Sequence, residues 1–369
     1  SKGYSVVLIE QTEDACKAAY DRIQANFDNN VKKGRMSQEV ASGCMSYLAT
    51  SSDKNTLTNC DLIIEAIFED IDVKKALFAE LDNICSNDCI FATNTSYLDI
   101  NDIASATKHP ERVIGMHFFS PANIMKLLEV VQADKSSPEA LATAMQVGKK
   151  LGKVSVLVNV CFGFAGNRMY SRYGREIQQM LLEGAKVEQI DSAMTKWGMA
   201  MGPLAVQDLS GIDIGYKARN SKPFPEHDPG YFKAASAMVE NGRLGRKTDL
   251  GFYRYDDNGK AQTDPIVAAL ITEKSTELSI EQRSFSDEEI VNRALFALIS
   301  EGLQLFKDGI VQRLSDIDVI WLHGYGFPRY RGGPMFQAQL IGVDALTEQM
   351  TQYQQQFGTA IWPDVKYDI

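Results

Sequence analysis

Cys60-Asp-Leu-Ile-Ile-Glu-Ala-Ile67 and Cys89-Ile-Phe-Ala-Thr93 are two short apolar runs that read as strands, separated by helical spacing over residues 73–85. Two more strand-like runs follow, Arg112-Val-Ile-Gly-Met-His117 and Lys126-Leu-Leu-Glu-Val-Val131, then a helical stretch over 138–151 and the run Lys153-Val-Ser-Val-Leu-Val-Asn159. Upstream, Tyr4-Ser-Val-Val-Leu-Ile-Glu10 is β-branched and apolar, which predicts a buried strand of a parallel sheet, and residues 12–33 read as a surface helix. Strands alternating with helices in this way predict an α/β domain with helices on the faces of its sheet.

The rest of the composition agrees with an ordinary globular chain. At 369 residues, 44% hydrophobic and 23% charged, with 27 Gly and 11 Pro, it is neither disordered nor collagen-like, and its length asks for more than one domain. The longest apolar runs, such as those on either side of Glu65, are too short to span a bilayer, and residues 1–14 show no secretory signal. A net charge of −10 argues against a nucleic-acid ligand spread across the surface, so an anionic substrate must meet a local basic patch. The cysteines at 16, 44, 60, 85, 89 and 161 form no paired C-x-x-C set, which favours reduced, mostly buried thiols and no metal site.

Beyond residue 160 strand-like runs almost vanish, apart from Gly251-Phe-Tyr-Arg-Tyr255, and residues 167–184 and 187–197 read as helices. The polar stretches 256–265 and 273–287 read as a connection to a further region that repeats this one. Asn167-Arg168 matches Asn292-Arg293, and Gly184 and Gly309 follow at the same interval. Gly202-Pro203 with Gly211-Ile-Asp213 matches Gly333-Pro334 with Gly342-Val-Asp344. The expectation is an α/β domain over 1–160 followed by two related all-α domains, over 161–270 and 285–369.

Of the four histidines, His109 and His227 sit in loop-like, Pro-containing surroundings, whereas His117 ends an apolar strand, and ligands of open α/β sheets gather at the carboxyl ends of strands. His117 reads either as a core-edge histidine with a satisfied hydrogen bond or as a catalytic base. Glu129 bears on that choice. It interrupts Leu127-Leu-Glu-Val-Val131, where an unpaired carboxylate would be costly, and the two strands can set it beside His117. A carboxylate on one ring nitrogen fixes the tautomer and raises the basicity of the other. Asn94-Thr-Ser96 follows a strand and Asn167 opens a helix; helix capping competes with a functional role for both. Glu10 ends a strand where a dinucleotide fold binds ribose hydroxyls. His323 reads as structural or interfacial, and Lys126 is left unassigned.

Taken in order, Ile63-Ile-Glu-Ala-Ile-Phe-Glu-Asp70, Asn94-Thr-Ser96, His117-Phe-Phe-Ser-Pro121, Met125-Lys-Leu-Leu-Glu129 and Gly163-Phe-Ala-Gly-Asn-Arg168 resemble the L-3-hydroxyacyl-CoA dehydrogenases. The resemblance covers nearly the whole chain and implies a Rossmann-type domain, NAD as cofactor, an acyl-CoA thioester as substrate and a place in fatty acid β-oxidation. It implies His117 as the base, Glu129 as its orienting partner, and Ser96 and Asn167 as holders of the substrate oxygens. Glu10, Glu69, Lys74 and Asn94 fall at cofactor positions, the charge on Glu10 favouring NAD over NADP. The doubled helical region, with Asn159-Val-Cys-Phe-Gly-Phe164, Leu322-His-Gly-Tyr-Gly-Phe-Pro328 and Gly332-Gly-Pro-Met-Phe336, is similar to the peroxisomal multifunctional β-oxidation enzymes. That similarity implies a peroxisomal setting, with the cytoplasm or mitochondrion as alternatives, and an enoyl-CoA hydratase/isomerase region N-terminal to the dehydrogenase. The end of the chain, Lys366-Tyr-Asp-Ile369, lends no Ser-Lys-Leu-type address to this reading.

One departure stands out. The family's opening strand and Gly-x-Gly-x-x-Gly turn have no counterpart here, since Gly3, Gly34 and Gly43 are the glycines of the first 50 residues. The expectation is therefore a Rossmann-type domain lacking its first strand and Gly-rich turn, with weak NAD binding by this stretch alone. Two alternatives stand beside the dehydrogenase: another β-hydroxyacid dehydrogenase relying on a lysine, and a non-enzymatic, crystallin-like relative.

Overall fold

In the computed structural model, residues 2–222 and 224–363 are described, so the terminal tetrapeptide Lys366–Ile369 lies outside them. The chain divides into two compact units, Ser1–Phe118 with Leu128–Ser155, and Phe119–Leu127 with Val156–Ile369.

The first unit contains β1 (Val6–Ile9), α1 (Glu13–Lys32), α2 (Gln38–Met45), β2 (Leu48–Ser51), β3 (Leu62–Glu65), α3 (Ile71–Ile84), β4 (Ile90–Thr93), α4 (Ile100–Ala104), β5 (Val113–Phe118), most of β6 (Leu127–Gln132), α5 (Pro138–Leu151) and the start of β7 (Val154–Asn159). The strands form two sheets, a β1-β2 pair and a larger sheet in the order β3-β4-β5-β6-β7. β3, β4 and β5 run parallel, whereas β5 and β6 are antiparallel because a loop too short for a crossover helix joins them. β5 and β6 are buried along nearly their whole length. Gly115 is required there: a Cβ would come within 2.7 Å of the Val131 side chain on the facing strand.

Sequence signals explain the local structure. α5 starts on Ser137, whose hydroxyl accepts the Ala140 N–H, carries Pro138 in its first turn, and ends on Gly152 at φ 79°. Two expectations need correction. The strand at Tyr4–Glu10 is half exposed rather than buried, with Val6 at 48% exposure, because β2 is its one strand partner among the described residues. β2 itself was invisible to periodicity, since Leu48-Ala-Thr-Ser51 is short and half polar.

The second unit is helical: α6 (Phe164–Leu182), α7 (Val187–Trp197), α8 (Pro203–Ser210), α9 (Ile212–Asn220), α10 (Lys233–Glu240), a small β8 (Arg254–Tyr255) and β9 (Ala261–Gln262) hairpin, α11 (Pro265–Glu277), α12 (Asp287–Lys307), α13 (Leu314–Gly324), α14 (Pro334–Ile341) and α15 (Val343–Phe357). The supposed connection is thus ordered. Asp264 caps α11 ahead of Pro265, and Val267, Ile271 and Ser275, each four residues from the next, are its buried positions.

α6 and α12 exchange ion pairs reciprocally. Arg168 on α6 pairs with Glu301 at 2.6 Å and Asp308 at 2.8 Å, while Arg293 on α12 pairs with Glu176 at 2.8 Å and Glu183 at 2.7 Å. Each arginine therefore meets acids at matching positions on the other segment. A second match is a tie between a carboxylate on one helix and the first turn of the next. Asp191 in α7 accepts the Leu204 and Ala205 N–H groups of α8, and Asp318 in α13 accepts the Met335 and Phe336 N–H groups of α14. Burial pushes both carboxyls up to about 6, only partly offset by these N–H donors.

Two outcomes follow. Burial alone would raise the pKa of Glu176, but Arg293, Arg172 and Arg175 outweigh it and hold the group far below the usual carboxylate range. Arg293→Ala removes the buried arginine that Glu176 and Glu183 share and is expected to cost about 3 kcal/mol in urea unfolding, against about 1 kcal/mol for the partly exposed Arg168→Ala. Equal losses would show that burial does not set the strength of these pairs. Asp318, with a folded-state pKa above its ordinary value of 3.8, contributes stability at acid pH that is lost as pH rises through about 6. Asp318→Asn should therefore compare better with the parent at pH 7 than at pH 4, and a pH-independent difference would refute that.

Candidate functional site

A continuous polar chain crosses the carboxyl ends of β3, β4 and β5. The antiparallel register places His117 of β5 directly opposite Glu129 of β6, and His117 Nδ1 lies 2.8 Å from Glu129 Oε2. Both are buried, at 4% and 0% exposure. On the other side of the ring, Nε2 lies 3.2 Å from the Ser96 hydroxyl. With Glu129 ionised, Nδ1 carries the proton toward it and Nε2 is left as an acceptor, the tautomer a general base requires.

Ser96 is held by a second carboxylate. Glu69 Oε1 accepts the Ser96 N–H at 2.9 Å, the Tyr97 N–H at 3.2 Å and the Thr95 hydroxyl at 2.5 Å. Lys74, 1% exposed on α3, pairs with Glu65 at 2.6 Å and with Glu69 at 3.5 Å. Glu65, itself buried, also accepts the Thr93 hydroxyl at 2.7 Å and the Ile67 N–H at 2.7 Å. The arrangement therefore runs Glu65–Lys74–Glu69–Ser96–His117–Glu129, with the turns after β3 and β4 fastened to each other.

The helix-capping alternative fails for 94–96. No helix follows directly; the Thr95 hydroxyl closes a turn onto the Leu98 N–H, and Asp99 caps α4. Asn94 Oδ1 accepts the Phe118 N–H at 2.8 Å, tying the end of β4 to the end of β5. Glu10 stands at the carboxyl end of β1, partly exposed, with its N–H bonded to the Ser51 carbonyl. Asn167 belongs to the second unit. It is not a cap either, because Gly163, at φ 78°, occupies that position, and Asn167 lies one turn inside α6 with Oδ1 accepting the Tyr325 hydroxyl at 2.9 Å.

Among the other expectations, His109 pairs with Glu111 on the surface, His227 and Lys126 are exposed, and all six cysteines are free thiols. Burial lowers the pKa of His323 in α13. Among the described residues no group of His, Cys, Asp and Glu is arranged to hold a metal ion, and no helix is long and apolar enough to cross a membrane.

Residue reasoning passed over Glu65, Thr93 and Thr95. The signal for Glu65 was present, since it interrupts an apolar strand as Glu129 does. Thr93 and Thr95 carry no such mark, because threonine is ordinary at strand ends.

Residues 1–161 match the profile of the 3-hydroxyacyl-CoA dehydrogenase NAD binding domain, and residues 163–255 and 290–367 match that of its C-terminal domain. The chain is 40% identical over 365 residues to the peroxisomal bifunctional enzyme of Danio rerio, covering 95% of this chain and 50% of that protein. It is 36% identical to the glyoxysomal fatty acid beta-oxidation multifunctional protein MFP-a of Brassica napus, covering 98% of this chain and 50% of that one. The chain thus spans about half the length of these relatives. Among solved structures, the dehydrogenase part of multifunctional enzyme 1 from C. elegans superposes with a TM-score of 0.67 at 31% identity, over 96% of this chain and 80% of that one. The 3-hydroxybutyryl-CoA dehydrogenase of Escherichia coli K12 shares the fold, with a TM-score of 0.81 at 24% identity over 98% and 91% of the two chains.

The ion pair beneath the site can be probed separately. Glu65→Gln leaves the Lys74 ammonium buried with only its longer contact to Glu69 and should cost about 3–5 kcal/mol of stability. The double variant Glu65→Gln, Lys74→Met should recover most of that loss in the same denaturation assay. Failure to recover would mean that the carboxylate acts chiefly through Thr93 and the Ile67 N–H.

Proposed function

This chain belongs to the 3-hydroxyacyl-CoA dehydrogenase family, a family of oxidoreductases, and we propose that it oxidises an L-3-hydroxyacyl-CoA to the 3-oxoacyl-CoA with NAD, as a step of fatty acid β-oxidation. The observation that carries the reading is the Ser96–His117–Glu129 chain at the strand ends. His117 Nε2 takes the proton of the 3-hydroxyl, while Glu129, on Nδ1, holds the ring in place and offsets the charge of the imidazolium that forms. The Ser96 hydroxyl, already within reach of Nε2, marks where the substrate oxygen docks, and Asn167 supplies a second polar contact to the substrate.

The residues present fit the ribose and nicotinamide portions of a dinucleotide, while the sequence holds no Gly-rich turn for its pyrophosphate. Glu10, Glu69 and Asn94 all stand at or just beyond the carboxyl ends of parallel strands, and Phe68, next to Glu69 in the chain, is 80% exposed, an apolar face for a planar ring. NAD, when bound, supplies the acceptor for the hydride leaving C3. Glu10 binds the ribose hydroxyls and disfavours a 2′-phosphate by charge; Asn94 orients the β4 and β5 ends around the cofactor. Lys74, being buried, contributes by fixing Glu69 rather than by offering its own charge to solvent.

The reciprocal Arg–Glu pairs and the matched Asp191 and Asp318 ties support reading the helical unit as two copies of one domain, 161–270 and 285–369. By likeness to relatives called peroxisomal and glyoxysomal, we place the reaction in that compartment, with an enoyl-CoA hydratase/isomerase region completing the longer protein.

His117→Ala in the full chain should lower kcat about 10²–10⁴-fold with the KM for NAD little changed, and Glu129→Gln should fall between it and the parent. Near-normal turnover of His117→Ala, measured as NADH formation from a 3-hydroxyacyl-CoA, would remove the base assigned here and with it the main support for the activity.

A further inference from the structure

We propose that Tyr325, at the end of α13, is a positioning residue that sets which face of the Asn167 amide meets the substrate; this rests on the reading above that Asn167 touches the substrate. The contact is specific. Tyr325 donates its hydroxyl hydrogen to Asn167 Oδ1 at 2.9 Å. Its ring is stacked on Trp321 at 4.8 Å between centroids and on Tyr170 at 5.5 Å, and meets Phe119 edge-on at 5.5 Å. Three aromatic neighbours on different segments leave the ring little rotational freedom, so the position of its hydroxyl is fixed by packing.

The helix carrying Asn167 is shaped for this hydroxyl. A Cβ at Gly166 would lie 2.6 Å from Tyr325 Oη and 2.8 Å from the ring, closer than real side chains tolerate. The glycine directly before Asn167 thus explains a part of the Gly163-Phe-Ala-Gly-Asn-Arg168 motif that neither helix capping nor catalysis uses: it admits the Tyr325 ring against α6.

The chemical consequence follows from the asymmetry of an amide, which accepts through its oxygen and donates through its nitrogen. With Oδ1 occupied by the Tyr325 hydroxyl, Nδ2 is the end presented as a donor. A donor suits a substrate whose oxygens are carbonyl-like, in the thioester and in the 3-oxo product, and the hydroxyl polarises the amide so that Nδ2–H donates more strongly. Without the hydroxyl the amide can turn, and its oxygen would then face the substrate carbonyl unfavourably. The second half of the helical unit in this way supplies a side chain to the binding function of the first.

The test is steady-state kinetics of the full chain with a 3-hydroxyacyl-CoA and NAD, for Tyr325→Phe, Asn167→Ala and the double variant. Tyr325→Phe keeps the ring packing and removes only the hydroxyl. It should raise the KM for the acyl-CoA about 3- to 10-fold, the range of one hydrogen bond, and leave the KM for NAD unchanged. In the Asn167→Ala background it should add nothing, because its effect runs through that amide. Gly166→Ala, which retains the hydroxyl but displaces the ring, should reproduce the acyl-CoA effect and stands in if Tyr325→Phe fails to fold. Unchanged kinetics for a folded Tyr325→Phe while Asn167→Ala is impaired would overturn the positioning role alone. An undiminished Tyr325→Phe effect in the double variant would do the same. If Asn167→Ala leaves acyl-CoA kinetics unchanged, the reading of Asn167 fails and the proposal falls with it.

Discussion

A carboxylate with no exposure at all sits in the middle of β6, and the organisation of the first unit follows from the need to pair it. An isolated buried carboxylate is costly; Glu129 has His117 directly opposite it on β5, with the two side chains within hydrogen-bond distance. This pairing also fixes the strand register. A slip by one residue would turn Glu129 to the other face and set an apolar side chain against the imidazole. The pair thus guards the alignment of the two strands that frame the Phe119–Leu127 segment, and the contact that satisfies the carboxylate is the one on which the base proposed for this chain depends.

The same constraint recurs wherever an acid is buried in this chain, and its solutions differ by purpose. Glu65 is answered by a lysine, two hydrogen bonds and no open position, which makes it a clamp between the β3 and β4 ends. Glu176 is answered by arginines from its own helix and from α12, which makes it a lock within the helical unit. Glu129 is answered by a histidine whose other ring nitrogen, Nε2, lies beside the Ser96 hydroxyl. Burial of charge is therefore not by itself the mark of a site in this protein, since Glu65 and Glu176 are buried and paired as Glu129 is.

Residues in the sequence carried this distinction unevenly. Glu129 was legible because an acid inside an apolar strand demands a partner and a histidine closed the neighbouring strand. Glu65 sent the same signal, but its partner Lys74 lies on a helix, at a separation that strand alternation does not bring to mind. The parallel strands were legible from their apolar runs, whereas β2 and α11 were not: one is too short and polar for its period to register, the other is bounded by charged turns that mask its buried face. Tyr325 was beyond reach, since aromatic residues are common in helical cores and its meaning comes from the hydroxyl, whose acceptor stands far away in the chain.

The matched halves of the helical unit sharpen that last point. α7 and α13 end in equivalent places, but α7 stops at Gly198 and α13 at Tyr325. Gly198, at φ 125°, has no room for a side chain, because a Cβ there would collide with the Tyr330 ring hydroxyl. The ion pairs that hold α6 against α12 are reciprocal, so the difference between the two ends arises from their local surroundings and not from that contact. Packing symmetry with a local exception is the pattern expected when one half keeps a binding role and the other supports it. The exception, a tyrosine aimed at the Asn167 amide, is where the two halves cease to be interchangeable.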